Sequence, residues 1–278
     1  MRWDLWEPEY GRILREFRFS RSKDAAASRE LETLLARHPR GLTGEVGWRR
    51  VERLLRGHEV LVVGAGPGAV PHPRELWGPG RAREGRSIAA DGATHACLEV
   101  GFVPDLISTD LDGTVEKEIE ANARGSLVVI HAHADNREAL ARWVPRFPGP
   151  LVGSVPGMPG RWSFNVGGFT DGDRAIHWAE EAKARRVILA GFDFRMVRGK
   201  FPGHLWIKRR KLARARALID ALWQRGDVPV DLYTKGGTIP WPGVSGERTE
   251  EATFTRRPTR PPAGRSRRPP RRGAPRSG

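Results

Sequence analysis

The sequence predicts an α/β fold: an open, mostly parallel sheet with helices on both faces, preceded by a helical N-terminal segment and followed by a disordered tail. Between Glu59 and Tyr233, short apolar runs of strand length recur, several closed by a glycine or an acid and followed by residues of helical spacing. That alternation builds parallel sheets. Residues 1–56 show helical spacing without such runs, and from Gly246 onward the chain is rich in Arg, Pro, Gly and Ser. Such a composition cannot bury a core. The expected division is a helical segment over 1–56, an α/β catalytic domain over 57–246 and a disordered tail over 247–278.

Trp3, Trp6, Tyr10, Ile13, Leu14 and Phe17 recur at steps of three and four, and Leu31, Leu34, Leu35 and then Val51, Leu54, Leu55 repeat the pattern. Ser22 and Asp24 offer helix-start oxygens, and Pro39 with Gly41 supplies a break. Glu59–Val63 is a continuous apolar run ended by Gly64–Gly68, a buried parallel strand turning through a glycine-rich loop whose N–H groups could approach phosphate. The Pro- and Gly-rich residues 70–86 read as a loop or short helix. Ser87–Ala90 is the next strand, ended by Asp91 and Gly92, with a crossover helix over 93–102. The strand before Asp110 follows. Gly125–Ile130 ends in His131–Asn136, a helix runs to Trp143, and Pro150–Ser154 is a further strand. Residues 175–184 are helical, Arg186–Ala190 is a strand ending near Asp193, Lys208–Trp223 is a basic amphipathic helix, and Val228–Tyr233 is the last strand.

Composition excludes several classes. The single cysteine, Cys97, rules out an intrachain disulfide framework and a Cys-based zinc site. No apolar run approaches bilayer length, and the mixed opening Met1–Trp6 is unlike a signal peptide, so a cytoplasmic protein is expected. Of the formal charge of +15, nine arginines in the acid-free stretch 256–278 account for most, leaving +6 for the rest. Nucleic-acid attraction is therefore confined to weak, nonspecific contact by the tail. A homo-oligomer is compatible with the pattern.

In open parallel sheets ligands bind beyond the carboxyl ends of the strands. Gly64, Asp91, Asp110, Asp112, His131, Asp135 and Asp193 all stand at such ends. Asp110 and Asp112 are spaced so that an extended segment points both to one side. Like charges so close repel unless a divalent cation or positive side chain compensates. Mg²⁺ with a phosphate-bearing substrate is the natural compensator. Replacing either acid by asparagine is expected to leave metal-free stability equal or higher. The same residues, Asp110–Thr114, also match the nucleophile motif of haloacid-dehalogenase-like phosphatases, and the basic tail leaves a non-enzyme, nucleic-acid-binding reading.

Six blocks, Val62–Pro67, Ala90–Gly92, Pro104–Gly113, His131–Asn136, Gly167–Ala175 and Leu189–Phe194, together resemble in order and spacing the archaeal-type 6-hydroxymethyl-7,8-dihydropterin pyrophosphokinases, the MptE-like family, with Gly68 at a position where serine is expected. The resemblance implies a catalytic domain like that of thiamine pyrophosphokinase and Mg²⁺-dependent transfer of diphosphate from ATP to a hydroxymethyl pterin, with AMP leaving. Another heterocycle such as thiamine is the alternative acceptor. On that chemistry Asp110, Asp112 and Asp135 are the candidate metal ligands, and Asp110, Asp112, His131, His133, Lys208 and Lys211 the candidate catalytic set. Gly64, Gly66, Asp91, Asn136 and Arg174 are candidates for the nucleotide and its metal. Asp171, Asp173 and Asp193 are candidates for the donor edge of the heterocycle.

Overall fold

The strands β1 (Glu59–Val63), β2 (Gly85–Ala90), β3 (Leu106–Thr109), β4 (Leu127–His131), β5 (Leu151–Ser154), β6 (Ser163–Phe164), β7 (Arg186–Ala190), β8 (Val230–Thr234) and β9 (Gly237–Pro240) form one sheet in the order β6-β5-β4-β3-β2-β1-β7-β8-β9. All neighbours pair in parallel except β8 and β9. This computed structural model describes residues 3–66, 70–78, 84–194, 202–226 and 228–242, within a compact unit that runs to Val244. The expected tail and Gly68 lie outside the described residues.

The helices are α1 (Trp3–Phe17), α2 (Arg21–Arg37), α3 (Gly44–Leu55), α4 (Pro73–Trp77), α5 (Ala93–Val100), α6 (Val115–Ala123), α7 (Arg137–Trp143), α8 (Asp171–Glu181) and α9 (Pro202–Arg225). None of the described helices is long and apolar enough to cross a membrane. Strand residues alternate between two faces. Val60, Val62, Ile88, Val129, Val187 and Leu189 meet α3, α8 and α9 in one core. On the opposite face Ile107, Val128 and Ile130 meet α2, α6 and α7, while Leu61, Val63 and Ala89 meet Cys97 of α5. Both faces are thus covered, which is why the strands read as unbroken apolar runs.

From β1 the chain builds β2 to β6 outward on one side, then returns through α8 to place β7 on the other side of β1. The strand order reverses there, and the crevice opens beyond the carboxyl ends of the strands. Two strands were not anticipated. The two-residue β6 is too short to show a period, and β9 follows a tight turn at Lys235 and Gly236 to run back along β8.

The N-terminal helices are built into the sheet cores. Leu31 and Leu35 of α2 and Val51 and Leu55 of α3 are fully buried, on opposite faces. α1 packs on α9 through Trp6, Tyr10, Ile13 and Leu218, with Arg214 paired to Glu9 and Glu16. Ser20, rather than Ser22 or Asp24, caps α2, accepting from the Lys23 N–H. The start of α3 is docked closely on β6. The Gly44 N–H donates to the Arg161 carbonyl at 2.8 Å, and a Cβ at residue 44 would stand 2.3 Å from the Ser163 carbonyl oxygen. Gly44→Ala should therefore lower unfolding free energy by about 1–3 kcal/mol, as overpacking against backbone does. Urea denaturation checks this, and an unchanged midpoint would refute the docking.

Candidate active site

β3 ends at Thr109, so Asp110 and Asp112 do not share a side by strand alternation. They are brought together by a turn. Leu111 between them has φ 69° and its side chain is buried, which flips the backbone and sends both flanking carboxylates into the crevice. A leucine in the left-handed region costs about 1–2 kcal/mol. The turn is held by Thr109, whose Oγ1 accepts the Leu111 N–H at 2.9 Å. Asp91, itself at φ 48°, arrives from the end of β2. Asp91, Asp110 and Asp112 each offer an oxygen, and these lie within 4.8 Å of one another. A cation also fits the state of Asp110 Oδ1, which is buried and has no hydrogen-bond partner.

The three acids are not equivalent. Burial works against the charge on Asp110, but a hydrogen bond and charge from His133, then the charges of Arg174 and Lys211, hold its carboxyl below the usual range. His133 Nε2 lies 3.2 Å from Asp110 Oδ2. Partial burial of the Asp112 carboxyl, then the charges of Asp110 and Asp91, push it up to about 7, although the residue as a whole is exposed at the crevice mouth. Asp171, at the start of α8, is raised well above the usual range by burial and then by Asp110, against the pull of Arg174. Arg174 Nη1 donates to Asp171 Oδ1 at 3.0 Å.

The fold brings some of the expected residues together and parts others. Asp91, Asp110, Asp112, His133, Asp171, Arg174 and Lys211 share one electrostatic neighbourhood. Asp135 is exposed and stands outside the three-carboxylate cluster, where Asp91 completes the set instead. Lys208 is exposed, one turn of α9 before Lys211. His131 is buried with Nδ1 3.1 Å from Ser154 Oγ, and burial followed by the charge of Arg174 holds it well below the usual histidine range, so it stays neutral inside the sheet. Asn136 spends its amide on protein: Oδ1 accepts the His133 N–H, and Nδ2 donates to the carbonyls of Asp110 and His131. With its amide engaged in this way it fixes the loop that carries His133. Asp173 accepts from the N–H groups of Phe169 and Thr170, closing a capping box, so its oxygens serve α8 and not a heterocycle. The N–H groups of Gly64 and Gly66 donate to the carbonyls of Ala190 and Gly191, at 2.8 Å each. A Cβ at residue 66 would meet the Gly191 oxygen at 2.4 Å. Glycine there lets the β1 and β7 turns touch, and neither amide is left for phosphate. Asp193 sits at the end of β7, its own N–H beside Gly66.

Glu118 was missed. It is fully buried, and burial, then the charge of Asp91, raises its carboxyl well above the usual range. Thr109 Oγ1 lies 2.9 Å from Asp91 Oδ1 and 3.0 Å from Glu118 Oε1. One hydroxyl hydrogen cannot serve two acceptors, so protonated Glu118 donates to Thr109 and Thr109 to Asp91. The signal was present in α6: Val115, Glu118 and Asn122 fall on one face and all are buried.

An acidic crevice backed by cationic side chains, at the carboxyl edge of an open parallel sheet, is the arrangement of an α/β enzyme. Comparison with known sequences narrows the class. The family model described as "6-hydroxymethylpterin diphosphokinase MptE-like" matches residues 42–199, and the chain belongs to that family. Proteins named 6-hydroxymethyl-7,8-dihydropterin pyrophosphokinase from Methanothermobacter thermautotrophicus and Pyrococcus furiosus are 38% and 37% identical to it. The first match covers 82% of this chain and 98% of the relative, the second 81% and 96%. A third, from Methanocaldococcus jannaschii, is 36% identical over 68% of this chain and 78% of its own. A solved thiamine pyrophosphokinase from Bacillus subtilis is matched at TM-score 0.33 and 14% identity, over 64% of this chain and 60% of that one.

The split within the acid pair sets the two asparagine variants apart, although the sequence alone led to the same expectation of equal or higher stability for both. A carboxyl raised from 3.8 to about 7 keeps its proton in the folded state after the unfolded chain has lost it, so metal-free stability falls as pH rises through that window. Asp112→Asn removes the fall, and its melting temperature should exceed the parent's at about pH 8 and converge with it near pH 4. Asp110 has the opposite sign: its stabilisation is present above the unfolded carboxyl pKa and lost as pH drops through the lower folded value. Asp110→Asn should therefore melt lower than the parent at neutral pH. Thermal melts in chelator across this range check both, and equal shifts in the two variants would contradict the split.

Proposed function

We propose that the protein catalyses Mg²⁺-dependent transfer of diphosphate from ATP to 6-hydroxymethyl-7,8-dihydropterin, giving the pterin diphosphate and AMP, a cytoplasmic step of pterin biosynthesis. The Asp91, Asp110 and Asp112 cluster, with its unsatisfied Asp110 oxygen, is the observation that carries the reading. The curated relatives, aligned over most of the chain, supply the substrate class.

Asp91, Asp110 and Asp112 would hold the Mg²⁺, which when bound draws charge from the phosphate oxygens and fixes their geometry. Lys211 and Arg174, whose charges already reach Asp110, offset negative charge on the polyphosphate. The acceptor's hydroxyl oxygen forms a bond to the β-phosphorus. The bond from that phosphorus to the oxygen bridging the α-phosphate breaks, and AMP leaves with that oxygen. The hydroxyl proton passes to an oxygen of the transferred group, because a loose transition state asks little of a side-chain base. His133 is not free to take that proton, since its Nε2 is held 3.2 Å from Asp110 Oδ2 and its Nδ1 lies 3.3 Å from the Asp135 nitrogen. It orients Asp110. Asp171 and Asp193 are the acids left for a donor edge of the heterocycle.

With ATP, Mg²⁺ and the hydroxymethyl pterin, equimolar pterin diphosphate and AMP are expected. Asp110→Asn and Asp112→Asn should each slow transfer by about 100-fold or more, the loss of several kcal/mol of charge stabilisation at the transition state. Release of ADP or inorganic phosphate alone, or an acyl-phosphate trapped on Asp110, would replace this reading with a kinase or phosphatase.

A further inference from the structure

We infer that Asp24, in the first turn of α2, is a positioning residue for the acidic centre. Its carboxylate is buried although Ser20 already caps the helix. Its partners are remote. Oδ1 accepts the backbone N–H of Ala134 at 2.9 Å, and Oδ2 accepts the hydroxyl of Tyr10 at 2.7 Å. Burial, then Asp24 itself, raises the Tyr10 hydroxyl above its usual range, so the phenol stays a donor.

Ala134 belongs to the loop that carries His133. Asn136 holds that loop from one side, binding the His133 N–H and the Asp110 carbonyl, and Asp24 holds it from the other. Between these two anchors His133 presents Nε2 to Asp110. A backbone N–H removed from water must find an acceptor, and without the Asp24 carboxylate the Ala134 amide and the Tyr10 hydroxyl lose theirs. The loop would then settle elsewhere and take the His133 imidazole off Asp110. The helices before the sheet thus set the geometry of a carboxylate on the turn after β3.

This role for Asp24 rests on the reading of Asp91, Asp110 and Asp112 as a divalent-cation site. It is tested on the full chain with Mn²⁺ as probe, by titration calorimetry without nucleotide. Asp24→Ala should bind Mn²⁺ about 10-fold or more weakly, the usual loss when a group supporting a ligand is removed. In the assay its kcat should fall with little change in KM for the acceptor. Asp24→Asn keeps an acceptor for Ala134 and can donate to Tyr10, so it should stay within about threefold of the parent. If Asp24→Ala does not fold, Asp24→Leu, of similar size and lacking an acceptor, carries the same expectation. A folded Ala or Leu variant binding Mn²⁺ as the parent does, or an Asn variant as impaired as Ala, overturns the inference. A parent that itself fails to bind Mn²⁺ overturns the cation site and this inference with it, and is recognised by that failure.

Discussion

Three carboxylates gathered within 4.8 Å are the constraint on which the rest of this molecule turns. Bringing such charges together is unfavourable, and the surrounding structure compensates from several directions. Leu111 adopts a conformation that leucine avoids, Thr109 and Glu118 supply a hydrogen-bond chain beneath Asp91, and His133, Arg174 and Lys211 bring positive charge or a donor to Asp110. The residual repulsion settles on Asp112, the outermost of the three. A centre of this kind carries a repulsion that a bound cation would offset.

The compensating groups come from distant parts of the chain. Asp91 follows β2, the Asp110 turn follows β3 and His133 follows β4, while Arg174 and Lys211 come from α8 and α9. α8 runs back toward the start of β7, so its N-terminal turn lies over the carboxyl ends of the strands and brings Asp171 and Arg174 to the crevice. Parallel pairing aligns the strand ends at one edge, and the strand-order reversal beside β1 keeps the space above that edge open.

Much of this was legible in the sequence because strand ends and glycine or acid punctuation coincide. The alternation of runs from Glu59 to Tyr233 pointed to the sheet, and the acids at 91, 110 and 112 pointed to the centre. What could not be read was side-chain partnership. Asp135 and Asp91 both follow strand ends, and nothing in spacing tells which turns inward; the Asn136 clamp leaves Asp135 in solvent. Asp173 and Asp171 lie on one short turn, yet one caps α8 and the other meets Arg174. The glycines of the β1 loop resemble a phosphate cradle but answer to a contact with β7 that only the fold creates. Glu118 was hidden among the acids of α6, where burial and not residue type marks it.

Both ends of the sheet are blunted. One edge strand is the two-residue β6, and the other is β9, which runs against its neighbour and ends in Pro240, where the backbone lacks an N–H. A short edge and a proline-ended antiparallel edge are poor templates for another strand. Among the described residues, neither edge of the sheet presents a long run of open backbone pairing groups to another strand.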